Sequence, residues 1–131
     1  AASQYCRGVE KIALAEKFAQ FDEHWSPRII GEANGQYLKI AKVQGEFVAH
    51  IHEHEDEAFL CVAGRFGIRF PASGKVVELG PGEMCIVPAG VEHQPFADEE
   101  AQVMMFEPKQ TAHTGAVDSD LTKSVEDQPR I

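Results

Sequence analysis

From Arg28 onward, apolar and polar residues alternate in short runs broken by glycine, proline and small polar residues. Period-two alternation over stretches of four to eight residues is the mark of a strand with one face buried. Nine stretches read this way: Arg28–Ala33, Gln36–Val43, Glu46–His52, Glu57–Ala63, Phe66–Phe70, Lys75–Leu79, Met84–Val87, Gln94–Phe96 and Gln102–Phe106. Turn signals separate them at Asn34-Gly35, Gln44-Gly45, Gly64, Ala72-Ser73-Gly74, Gly80-Pro81-Gly82 and residues 97–100. Many short strands without long helices between them predict an all-β sandwich or barrel. Asn34-Gly35 and Ser73-Gly74 suit two-residue hairpins, so antiparallel pairing is expected.

The flanks read differently. Residues 1–8 form a loose leader. In Val9 to Phe21 the apolar positions Ile12, Leu14, Ala15, Phe18 and Phe21 mix two spacings, which predicts a short strand and then a helical turn from about Ala13 to Gln20. His24-Trp25-Ser26-Pro27 interrupts the pattern, because proline biases the preceding residue toward extended backbone. The organisation expected is therefore an N-terminal segment (1–26), a barrel (27–107) and a polar, weakly patterned tail (108–131).

Several strands are apolar on both faces. Met84 and Ile86 alternate with Cys85 and Val87, and Phe59 and Cys61 with Leu60 and Val62. One face is expected to line the barrel and the other to be covered by the N-terminal segment or by a second subunit, which predicts a homodimer.

Composition narrows the partners. A length of 131 residues fits one domain, and 44% apolar content is ordinary for a globular protein. The formal charge of −9 argues against nucleic acid and anionic membrane surfaces. No stretch approaches membrane-spanning length, and Arg7, Glu10, Lys11, Glu16 and Lys17 occupy the region where a signal peptide needs an apolar run. Cys6, Cys61 and Cys85 are an odd set without framework spacing, which predicts reduced thiols and a cytoplasmic location. A thiolate or redox role for Cys61 and Cys85 requires that their strands be neighbours.

The chemistry concentrates in two blocks. The first is His50-Ile51-His52, four residues, Glu57, six residues, Gly64; the second is Gly82, five residues, Pro88-Ala89-Gly90, two residues, His93. On one strand His50 and His52 point the same way. A short turn through Glu53 to Asp56 brings Glu57 back beside them. Pro88-Ala89-Gly90 is a turn that delivers His93, and a barrel lets these separate strands face one cavity. Imidazole and carboxylate together suit a divalent transition metal.

The two blocks resemble the two motifs of the cupin superfamily across about Phe47 to Phe96. The wider stretch from Phe21 and Trp25-Ser26-Pro27 through Phe106-Glu107-Pro108 is similar to small single-domain bacterial cupins of the mannose-6-phosphate isomerase-like kind. That resemblance implies a cupin-type antiparallel β-barrel (a double-stranded β-helix, or jelly roll) and His50, His52, Glu57 and His93 as ligands to one divalent metal, iron, manganese, nickel or zinc. Two positions depart from the pattern. Gly45 precedes His50 by one residue less than usual, and Ala97 stands where the second motif often has asparagine.

A shifted register through His52, His54 and Glu57 is the alternative ligand set, but only two residues separate His54 from Glu57, which leaves little chain for the turn. His54 is therefore expected at the turn in solvent or outside the ligand set, and His24 and His113 at the surface. Glu46, Glu107 and Tyr37 are candidate proton carriers, with no general base assigned. Phe47, Val48, Phe59, Met84, Ile86, Phe96, Met104 and Phe106 supply an apolar interior in some combination, and Lys39, Lys42, Arg65 and Arg69 hold a carboxylate if turned inward. Three classes stay open: a metal-dependent enzyme of dioxygenase or isomerase type acting on a small molecule, a non-catalytic ligand- or metal-binding barrel, and a structural barrel.

Overall fold

A computed structural model describes residues 9–111, 113–115, 119–124 and 127–131. The leader 1–8, with Cys6 and Arg7, lies outside the described residues. The fold is an antiparallel β-barrel of seven strands: β1 (Arg28–Ala33), β2 (Gln36–Glu46), β3 (Glu57–Ala63), β4 (Phe66–Phe70), β5 (Lys75–Leu79), β6 (Met84–Val87) and β7 (Gln94–Pro108). One short helix, α1 (Leu14–Phe18), precedes them. The principal order is β1-β2-β7-β3-β6, with β4 joined to both β7 and β5.

The strand β7 organises the barrel. Its first residues, Gln94 to Phe96, pair with β4, and its later ones, Gln102 to Phe106, pair with β3, while β2 runs along its other side. A single strand thus replaces the two strands and the intervening turn expected at residues 97–100. The turn-forming composition is absorbed because Ala97 and Ala101 pair with Gly45 and Val43 on either side of it, which leaves Asp98, Glu99 and Glu100 as a bulge of β7 opposite Gln44. Gln44-Gly45 is likewise not a turn, since β2 runs through it opposite that bulge, with Gly45 at φ +82°. An extra residue in one strand bends and twists the pair, which is how a sheet curls into a barrel.

The expected strand at Glu46–His52 forms only in part. Glu46 ends β2, and the chain then runs extended beside residues 90–95 without a continuous ladder, joined through Phe47 N to Pro95 O (2.9 Å) and a two-way bridge between His50 and His93. The strand expected near Val9 does not form, and Val9 is 74% exposed.

Interior packing follows period two. Ala41 and Val43 of β2, Phe59 and Cys61 of β3, and Val103 and Met105 of β7 fill the barrel together with Phe66 and Ile68 of β4. Gly67, between the last two, makes room for Phe96, since a Cβ there would stand 2.2 Å from the ring. The alternate residues face outward, so Leu38, Met104 and Phe106 lie outside the barrel and Met105 inside. Helix α1 covers part of this outer face by seating Phe18 and Phe21 on Ile30 and Ile40, with Leu38 and Met104 alongside. Burying one such phenylalanine contributes about 2–3 kcal/mol. The cover stops short of β6, where Met84 (54%) and Ile86 (64%) remain exposed.

Residues beyond β7 pack against the barrel. The chain pairs with β1 through Ile29 N to Pro129 O (2.9 Å) and Ile131 N to Ile29 O (3.1 Å). Arg130 donates to Glu32 and to the Tyr37 hydroxyl, both at 3.0 Å. This shields a sheet edge that would otherwise present free backbone groups. No helix among the described residues is long and apolar enough to cross a membrane. Cys61 is buried and Cys85 half-buried, both as free thiols, and burial pushes both upward from the ordinary thiol range.

Candidate metal centre

Four buried side chains converge at one end of the barrel. Ligand-type atoms of His50, His52, Glu57 and His93 all lie within 4.8 Å of one another. His52 Nε2 stands 3.3 Å and His93 Nε2 3.6 Å from Glu57 Oε1. Glu57 comes from the start of β3, and His93 immediately precedes β7; His50 is held beside His93 by reciprocal backbone bonds of 3.0 Å. The turn at Pro88-Ala89-Gly90 is tied to the first block by Gly90 N donating to His52 O (2.8 Å) and Ala89 N to Asp56 Oδ1 (2.8 Å).

Hydrogen bonding fixes how two rings present themselves. His50 Nδ1 lies 2.8 Å from Val48 O, and His93 Nδ1 lies 3.0 Å from Val91 O. A carbonyl oxygen only accepts, so each Nδ1 carries the proton and each Nε2 offers a lone pair to the cluster. Backbone carbonyls commonly orient metal-binding histidines in this way. His93 Nε2 and both ring nitrogens of His52 are buried without a hydrogen-bond partner. Buried polar atoms left unpaired cost free energy unless something coordinates them. Three imidazoles and a carboxylate with unspent donor atoms fit one divalent transition metal.

Electrostatics match a neutral His50 beside a carboxylate. Burial, and then the neighbouring His93 and His52 rings, lower the His50 pKa to about 4 against the upward pull of its bond to Val48. Burial pushes Glu57 up, but contacts with Glu107, His52 and His93 hold it well below the usual carboxylate range. Glu107 moves the other way: burial and the adjacent Glu57 carboxylate raise it, more than Lys39 offsets. Between the two carboxyls the negative charge is therefore favoured at Glu57 over Glu107. Lys39 Nζ lies 2.6 Å from Glu107 Oε1, with both side chains almost fully buried.

Of the candidate proton carriers, Glu107 alone reaches the cluster. Glu46 is exposed and accepts from Arg69, and Tyr37, although it shares the face of Lys39, lies near the end of the β2–β7 ladder with its hydroxyl accepting from Arg130. Among the candidate cations, Lys39 turns inward, whereas Lys42 donates to Phe21 O (2.7 Å) and Arg65 pairs with Glu78. His54 is exposed at the turn, outside the cluster, and His24 pairs with Glu100 at the surface.

His113 corrects the surface expectation. It lines a cavity of about 40 Å³ together with Trp25, Phe47, His50, Glu57 and Phe59. Its ring centroid lies 5.0 Å from that of Phe47, which in turn stacks on Trp25 at 4.7 Å and meets His50 edge-on at 5.6 Å. Sequence periodicity carries no signal for this placement, because residues 113–115 form a turn and not a strand. Nor does it place Trp25, which lines the same cavity from a backbone position at φ +56°.

The chain belongs to the cupin family. The cupin-domain family (Cupin_2) matches residues 37–119. Among solved structures, a cupin-2 domain protein from Shewanella frigidimarina is 44% identical, with a TM-score of 0.71 over 74% of this chain and 93% of that one. Protein NMB1881 from Neisseria meningitidis is 29% identical, with a TM-score of 0.69 over 76% of this chain and 99% of that one. Hydroquinone 1,2-dioxygenase from Sphingomonas is similar in fold, at 19% identity and a TM-score of 0.63, over 76% of this chain and 32% of that one. No curated protein matches the chain.

Proposed function

We propose that this cupin holds one divalent transition metal, iron, manganese, nickel or zinc, through His50, His52, Glu57 and His93, and acts with it on a small molecule in the barrel cavity. The observation that carries this reading is the set of buried, unpartnered nitrogens of His52 and His93 beside Glu57. Such a metal supplies Lewis acidity and, if redox-active, oxygen chemistry. The chain's own part is to keep His50 neutral, to orient two imidazoles through Val48 and Val91, and to place the Glu107 carboxyl next to the Glu57 ligand. A proton carrier at that point suits an enzyme of isomerase type, and the dioxygenase-type reading has a precedent in fold alone. Metal identity separates the two: iron directs the search to oxygen consumption with small aromatic substrates, and manganese, nickel or zinc to keto-acid and sugar isomerisation.

The second reading is a non-catalytic ligand- or metal-binding cupin. The narrow cavity favours it, since about 40 Å³ takes little beyond a metal ion and a water or two. Thermal shift separates a metal-binding barrel from a structural one, because a ligand that binds only the folded state raises the melting temperature with concentration. A rise for a divalent transition metal, absent in a His50→Ala/His52→Ala variant, supports both metal readings; no rise for any of the four metals contradicts them.

The same proposal includes a homodimer in the cytoplasm. The free thiols at Cys61 and Cys85 agree with a reducing compartment, and the exposed pair Met84 and Ile86 on the outer face of β6 suits burial against a second copy. Sedimentation of the parent as a dimer, and of Ile86→Glu as a monomer, tests it; a monomeric parent contradicts it.

A further inference from the structure

The wall of the cavity facing the metal cluster is apolar except at His113. Trp25 is spent, its Nε1 donating to Gln44 O at 2.9 Å. His113 is held from outside: the Lys123 backbone N–H donates to its Nδ1 at 2.8 Å. A ring nitrogen that accepts a hydrogen bond carries no proton, so the proton of His113 is on Nε2. No hydrogen-bond acceptor among the described residues meets that Nε2–H.

The neighbouring turn is locked in place. Thr111 and Thr114 are buried, and Thr114 Oγ1 lies 2.8 Å from Thr122 Oγ1. Gly115 presses on the backbone between the two motif histidines so closely that a Cβ there would stand 2.1 Å from Ile51 O. Phe47 meets both His50 and His113, so its ring forms the side of the cavity that runs from the metal cluster to His113, the one polar group of the opposite wall among the described residues. A pocket built from apolar surface and a few convergent polar groups uses those groups to orient its ligand.

We propose that His113 is a ligand-contacting residue: its Nε2–H donates to an oxygen of a small, carboxylate-sized anion seated in the cavity between His113 and the metal cluster. This rests on the metal reading, since a dication is what makes the end of the cavity beside Glu57 attractive to an anion. The narrow volume selects a ligand with few atoms beyond its acidic group. Burial, followed by the nearby Lys39 charge, lowers the His113 pKa to about 4, which keeps the ring in the neutral, single-donor form at neutral pH.

The test titrates acetate into cobalt(II)-loaded protein and follows the visible absorption of the metal, for the parent, His113→Phe and His113→Gln. Cobalt stoichiometry stays the same in all three. Acetate binding weakens about tenfold or more in His113→Phe, the size of losing a hydrogen bond to a charged acceptor. His113→Gln, which retains an N–H donor, recovers most of that loss. Equal acetate affinity in parent and His113→Phe overturns the proposal, as does an equal loss in both variants, which would assign the effect to shape. In the zinc-loaded parent, the His113 Nε2–H resonance moves downfield on adding acetate; an unmoved resonance overturns the proposal without recourse to a variant. A parent that takes up cobalt but not acetate sinks this inference alone, whereas one that takes up no cobalt sinks the metal reading and this inference with it.

Discussion

His50 and His93 exchange both of their backbone hydrogen bonds, N–H to O at 3.0 Å in each direction, although 42 residues separate them. An isolated bridge of this kind clamps the two motif blocks at the point where both imidazoles leave the backbone, and the ring centroids come to 4.4 Å. The ligand geometry is therefore set by main-chain pairing, which a side-chain substitution leaves standing.

A first consequence concerns His52, whose two ring nitrogens are buried and unpartnered. Replacing it with leucine removes unsatisfied polar atoms from the interior, so His52→Leu is expected to leave the metal-free protein as stable as the parent or about 1 kcal/mol more stable, while sharply lowering metal content. Urea denaturation in the presence of chelator checks this. A loss of several kcal/mol in the metal-free variant contradicts it.

Acid sensitivity of the metal-free protein follows from His50. Its pKa falls from the ordinary 6.5 to about 4 on folding, so between these values the unfolded chain binds more protons than the folded one. Stability is complete above about pH 6.5 and declines as pH falls toward 4, by about 3 kcal/mol from this residue. Denaturation midpoints across that range show the decline, and His50→Gln flattens it. An equal slope in parent and variant assigns the acid response elsewhere.

The buried pair Lys39–Glu107 is expected to be costly to break from one side. Glu107→Leu leaves the buried Lys39 ammonium without its acceptor and destabilises the fold by about 3–5 kcal/mol, whereas Lys39→Met/Glu107→Leu recovers most of the loss. A double-variant cycle in urea measures the coupling. Additive losses would mean that the pair acts through packing alone.

Gly67 carries a steric prediction. Its neighbour across the β4–β7 pairing is Phe96, and the ring occupies the space a Cβ would need. Gly67→Ala is expected to cost about 1–3 kcal/mol, and Phe96→Leu in the same chain to relieve part of it. Thermal melts of the three variants decide. An additive double variant contradicts the contact.

Much of this was legible in the sequence, and the boundary has physical causes. Strand alternation placed β1, β3, β4, β5 and β6 at the bounds observed, because each is short and flanked by turn residues. It failed at Ala97 to Glu100, where pairing with β2 on both sides carries the strand through a bulge in place of a turn, and at Glu46 to His52, where one bridge and no ladder holds the chain. The convergence of His50, His52, Glu57 and His93 was readable because their spacing is tied to strand period and turn length. His113 was not, since its position depends on contacts between a turn and the distant Ile51 and Lys123 backbones. Glu107 was visible as a candidate without a facing; its inward direction came only with the register of β7 against β2, where it pairs with Tyr37 at the end of the ladder.

The most direct measurement of the central claim is elemental analysis by inductively coupled plasma mass spectrometry of untagged protein purified without chelator, beside the His50→Ala/His52→Ala variant. One transition-metal ion per chain in the parent, lost in a variant that keeps its far-ultraviolet circular dichroism, is the predicted result. Metal-free protein in both preparations, or equal metal in both, would contradict a metal centre at His50, His52, Glu57 and His93.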